Sequence, residues 1–176
     1  MNSDMKKNIL KKTSNYILPV FFLVTIFSCK LEDPEIEFTS IGKMANEWHY
    51  QLLIDDGNGN FIDPYNGGYN PMFTTNTAAN TPDSMWIDDD GSWAEIRAKV
   101  AINVSDMTFS NGTTVTERYT DGTVLISNGK ILEGAAKSFS GVTVDSIYFE
   151  AEFDWDPGTT YILAGHQRTG FLEDEI

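Results

Sequence analysis

The chain is short of the groups that most often carry chemistry. It has one cysteine, Cys29, and two histidines, His49 and His166, among its 176 residues. One cysteine excludes a disulfide within the chain. Two histidines at opposite ends of the sequence have no metal-ligand spacing, so no metal and no cofactor is expected. A serine hydrolase wants its nucleophile on a sharp Gly-x-Ser-x-Gly turn. No such turn occurs, and Ser127, Ser138 and Ser140 sit in ordinary turn sequences. Cations are also scarce: Lys+Arg is 12 against Asp+Glu 26, a net charge of −14. Nucleic-acid affinity rests on cationic side chains releasing phosphate counterions, so nucleic acid is not an expected partner. No stretch carries the 3.6-residue apolar period of an amphipathic helix. No apolar run reaches the roughly 20 residues of a spanning helix either.

The longest apolar run does have a recognisable setting. Lys6, Lys7, Lys11 and Lys12 precede an uncharged stretch from Tyr16 to Phe27, which ends at Ser28-Cys29. A basic start, a short apolar core and a small residue before the break form an export signal, with Met5 the better start. Ile26-Phe27-Ser28-Cys29 resembles the lipobox of bacterial lipoproteins, although Phe27 is bulkier than usual. The reading is a signal peptide over 1–28 and a lipid-modified Cys29, because more than one acyl chain turns marginal membrane binding into stable anchoring. Removing residues 1–28 takes four lysines and Asp4. Lys+Arg then falls from 12 to 8, Asp+Glu from 26 to 25, and net charge from −14 to −17. Residues 29–45, acidic at first, read as a flexible tether. Lys30-Leu31-Glu32-Asp33 resembles the signal that sends some lipoproteins to the outer face of the outer membrane. The expected location is therefore the cell envelope, in the outer membrane, held by lipid and not by surface charge.

From residue 46 to 172 the pattern is that of strands. Trp48, Tyr50, Leu52 and Ile54 alternate with polar neighbours, as do Ala94 to Val104 and Ile147 to Phe153. Such alternation has the period of a half-buried strand. Asp55–Asn60, Asp89-Asp90-Gly91, Asn111-Gly112, Asp121-Gly122, Asn128-Gly129 and Asp156-Pro157-Gly158 supply turns. Strands joined by tight turns pair antiparallel. The expectation is an all-β fold, an antiparallel meander closing as an eight-stranded barrel, with a β-sandwich as second choice. A barrel of that size is filled by side chains or holds one small ligand. Asp56-Gly57-Asn58-Gly59-Asn60 has alternating oxygen donors, but Phe61 stands where a calcium loop needs glycine, so a solvated turn is expected there.

Ser84–Asp90 (SMWIDDD), Gly91-Ser92-Trp93, Thr123–Lys130 (TVLISNGK), Val144–Phe153, Asp156–Tyr161 and Gly165–Phe171 together resemble a family of small Gram-negative lipoproteins described as "lipid-binding putative hydrolase". The resemblance covers about residues 45–174 and implies a lipocalin-like barrel; it assigns no catalytic residue. Within that frame Trp48, Tyr50, Trp86, Trp93, Phe149 and Tyr161 are the candidate cavity lining, with Arg168 for an anionic head group. His49 and His166, on first and last strands, are the only candidates for acid–base work, together with Asp121 or Glu173. The function expected is an envelope lipoprotein binding a small hydrophobic or lipid-like ligand. A weak lipid or ester hydrolase and a non-catalytic accessory subunit with a filled barrel are the alternatives.

Overall fold

Along β5 and β9 buried apolar side chains alternate with more exposed ones, and the sheet closes into a ring. The computed structural model describes residues 38–176; the segment 1–28 expected to be a signal peptide, Cys29 and the first part of the expected tether lie outside the described residues. The strands are β1 (Asn46–Asp55), β2 (Phe61–Ile62), β3 (Asn70–Asn76), β4 (Ser84–Asp88), β5 (Arg97–Asn103), β6 (Thr108–Ser110), β7 (Val115–Thr116), β8 (Thr123–Lys137), β9 (Thr143–Phe153) and β10 (Tyr161–Gln167). Among the described residues there is no α-helix, only a 3-10 turn at Leu172–Asp174.

The sheet runs β1-β3-β4-β5-β6-β8-β9-β10, and β10 returns to pair with β1, so eight antiparallel strands close a barrel. Closure removes the free edges that a sheet otherwise presents to other chains. β2 pairs only with the end of β1, and β7 only with the start of β8; both lie outside the ring. The closing register sets Tyr50 opposite Gly165 and His49 opposite His166. A Cβ on Gly165 would lie 2.1 Å from the His49 carbonyl oxygen, so the seam tolerates only glycine there.

The interior is packed. Trp48, Tyr50, Met72, Met85, Ile87, Val124, Ile126, Phe149 and Leu163 have no or almost no exposed surface. Burying each large apolar side chain contributes about 1.5–3 kcal/mol. Two sequence expectations change in detail. Asn128-Gly129 is not a hairpin but a bulge within the continuous β8, where the register shifts between Ser127 and Lys130. Asn128 takes the left-handed conformation at φ 53°, and a Cβ on Gly129 would strike the Phe109 ring at 2.3 Å. The second change concerns residues 39–44, which form a turn whose Ile41 and Met44 are fully buried in the core cluster. Two apolar side chains a turn apart are better covered than left in water.

Candidate functional site

The pairing register gives the barrel two distinct ends. At one, the chain enters through residues 38–45 and the β8–β9 hairpin turns. At the other open the β1–β3, β4–β5, β6–β8 and β9–β10 loops. That second end, the mouth, collects most of the chain's partly exposed aromatic rings.

Its floor is Asp89. Asp90 and Gly91, both at positive φ (56° and 66°), turn the chain back on itself after β4. Three backbone N–H groups then converge on one fully buried carboxylate. Ile96 N donates to Oδ1 at 2.9 Å, Gly91 N to Oδ1 at 3.1 Å, and Ala94 N to Oδ2 at 2.9 Å. The Tyr50 hydroxyl donates to Oδ2 at 3.0 Å from inside the barrel. Burial pushes the Asp89 carboxyl up from its ordinary value against those bonds, and burial together with the Asp89 charge pushes the Tyr50 phenol up. Asp89 thereby ties the core ring of Tyr50 to the loop that carries Trp93.

Above the floor sits a stack of rings. Tyr161 is buried and donates its hydroxyl to Asp156 Oδ2 at 2.6 Å, so the Tyr65 hydroxyl, 2.8 Å away, donates to the Tyr161 oxygen. Trp93 meets Tyr65 edge-on at 5.4 Å, and Trp155 lies 5.3 Å from Tyr161 and stacks on Phe153 at 5.0 Å. Such offset and edge-on arrangements suit the quadrupole of aromatic rings. Yet Tyr65 is 47% exposed, Trp93 41% and Trp155 52%. The β1–β3 loop crosses the Trp93 indole at Gly67, where a Cβ would lie 2.9 Å from the ring. The two-residue β2 is that loop's backbone pairing to the sheet, and its Phe61 and Ile62 are exposed in turn.

The other candidates are distributed around the barrel. Trp48 fills the core and donates its indole N–H to Thr74 Oγ1 at 2.9 Å; Phe149 packs against Phe109 at 5.6 Å. Trp86 faces outward, paired with Thr75 and Lys99 on the adjacent strands. Arg168 lies at the end opposite the mouth. Its guanidinium is held by Glu175, with bonds of 2.8–2.9 Å, and by Glu47.

His49 and His166 do meet, across the β1–β10 seam on the outer wall, with ring centroids 5.4 Å apart. Phe139 from the β8–β9 hairpin covers both, at 5.6 and 4.8 Å. His49 Nδ1 and His166 Nε2 are buried without a hydrogen-bond partner among the described residues. His166 Nδ1 shares a bond with the Gln167 carbonyl at 3.2 Å. Burial first, and then the neighbouring His166, hold the His49 imidazole below its ordinary pKa. Asp121 belongs to the mouth, between β7 and β8, far along the barrel from this pair. Among the described residues no group of three or more His, Cys, Asp or Glu side chains is placed to hold a metal. The Asp56 carboxylate is engaged by its own turn, accepting from Asn58 N and from the Asn60 backbone and side chain.

Sequence reading missed Tyr65, Asp89 and Asp156 as parts of the site. Asp89 is the middle of three consecutive aspartates, and nothing local distinguishes the buried one. The alternation places Trp93 at the opening of the strand that runs to Val104, but it lies in the β4–β5 loop, because the turn at Asp90-Gly91 extends to Ile96 and β5 begins at Arg97.

An eight-stranded antiparallel barrel is an architecture that side chains fill or that holds one small ligand. The chain belongs to the family described as "lipid-binding putative hydrolase", whose family model matches residues 33–172. No curated protein matches the sequence.

Proposed function

We propose that the protein is a lipid-anchored envelope binding protein that takes one small amphiphile at the ring-capped mouth of its barrel. The family supports a lipid-binding role, and the mouth supports the location. The observation that carries the reading is the exposure of Tyr65, Trp93 and Trp155, which come from three different loops and gather around a buried Tyr161. Rings left half in water at a barrel end favour an apolar ligand that covers them. A lipid on Cys29 would hold the protein at the envelope, in the outer membrane by the acidic residues that follow it.

Native mass spectrometry with dodecyl-chain amphiphiles tests the reading. A one-to-one complex is expected. It should weaken by about tenfold or more in a Tyr65→Ala/Trp93→Ala variant, since each aromatic contact contributes about 0.5–1.5 kcal/mol beyond area burial. Leu132→Ser, at the other end of the barrel, should leave it unchanged. Equal binding by the double variant would overturn the mouth as the site.

A further inference from the structure

We infer that the amphiphile taken at the mouth carries a cationic head group, an ammonium or a quaternary ammonium, in place of a carboxylate or phosphate. The inference rests on the reading of the mouth as the binding site and adds the charge of the ligand. Two kinds of group meet there. The first is the set of partly exposed rings, Tyr65, Trp93 and Trp155, whose negative π faces attract a cation. The second is charge of one sign. Each of the four mouth loops contributes carboxylates, among them Asp63, Glu95, Asp121 and Asp156, and their one cation is Arg118. Arg97 at the start of β5 is paired with Asp88 at 3.2 Å.

Asp156 joins the two kinds of group. Its Oδ2 accepts the Tyr161 hydroxyl inside the ring cluster, while Oδ1 accepts no hydrogen bond among the described residues. The oxygen left over belongs to a carboxylate already bonded to Tyr161, whose ring lies 5.3 Å from that of Trp155. An anionic head would meet the opposite field. The arginine expected from sequence to receive it, Arg168, is at the far end and is engaged by Glu47 and Glu175. Bringing a second negative charge among these carboxylates costs energy through like-charge repulsion and lost hydration.

Three probes of one chain length decide the matter: dodecyltrimethylammonium, dodecanoate and dodecyl maltoside, each titrated below its micelle concentration. The cation is expected to bind at least about tenfold more tightly than dodecanoate at low salt, with the margin narrowing as salt screens the exposed carboxylates. Asp156→Asn and Glu95→Gln should each reduce that preference, lowering affinity for the cation by more than affinity for dodecyl maltoside. Glu133→Gln, outside the mouth, should leave the preference intact. Dodecanoate binding as tightly as the cation would overturn the inference while the mouth stands as the site. A preference that survives both mouth variants would assign it to overall charge and overturn the inference equally. If none of the three probes binds, the mouth reading falls and this inference with it.

Discussion

Single carboxylates hold the ends of this barrel together. At the mouth, Asp89 takes hydrogen bonds from Tyr50 and three backbone N–H groups. Tyr50→Phe keeps the ring in the core but removes the hydroxyl donor to a buried acceptor. The variant is expected to lose about 1–3 kcal/mol of stability in urea unfolding, the cost of an under-satisfied buried polar group. At the other end Asp174, fully buried, accepts from Ser140 N and Ser140 Oγ, and from Thr169 Oγ1 at 2.7 Å. Burial works against its charge, but the bonds from Thr169, Ser140 and Ser138 outweigh it and hold the carboxyl at about 2. An unfolded aspartate titrates near 3.9. The folded value is therefore depressed, so this stabilisation is fully present above about pH 4 and is lost as pH falls toward 2. Asp174→Asn should lower stability at pH 7, and its difference from the natural chain in urea should shrink steadily below pH 4. A difference that is flat with pH would remove Asp174 from the account. Neither aspartate was legible in the sequence. Both stand in acidic runs, and burial of one carboxylate depends on backbone donors brought from another segment.

Strand order was the legible part of the fold, because alternation of apolar and polar side chains survives in every long element. Trp48, Tyr50 and Leu52 on β1, Ala98 and Val100 on β5, and Ile147, Phe149 and Ala151 on β9 all point inward as their spacing predicts. Turn chemistry was less decisive. Asp121-Gly122 does lead β7 into β8, yet Asn128-Gly129 bends a single long strand, since the same left-handed residue serves a hairpin or a bulge. Closure depends on a contact that no periodicity reports, the approach of Gly165 to the His49 carbonyl. Gly165→Ala would drive a methyl into backbone atoms that the β1–β10 ladder fixes. The expected cost is about 3 kcal/mol, at the upper end for overpacking, read as a lowered midpoint in thermal unfolding. Gly158→Ala, in an open turn with nothing within 4 Å, strains its positive φ but meets no neighbour, and should cost less. The reverse order of the two variants would mean that the seam can give way.

Carboxylates lie at both ends of the barrel, Glu47, Glu133, Asp174 and Glu175 among those opposite the mouth, but the cations are unevenly placed. The mouth loops hold carboxylates and one arginine, while Lys43, Lys130, Lys137 and Arg168 lie toward the end where the chain enters. The sequence disclosed the excess of acid but not its arrangement, because the loops that carry Asp63, Asp121 and Asp156 come to one end only through the strand order. With a net charge of −17 once residues 1–28 are removed (8 basic against 25 acidic side chains), a surface of anionic lipid repels the molecule. On the proposed reading, attachment to the envelope would come from acyl chains on Cys29, each buried CH₂ of which contributes about 0.8 kcal/mol. Two consequences separate lipid from electrostatic attachment. The protein should stay with membranes through a wash at about 1 M salt, where the Debye length is near 3 Å, and leave them in detergent. Cys29→Ser should move it from the membrane to the soluble fraction with the barrel intact, because the described fold begins beyond that residue. Release of the natural chain by salt alone, or membrane retention of Cys29→Ser, would remove the anchor from the account and leave the mouth and its rings untouched.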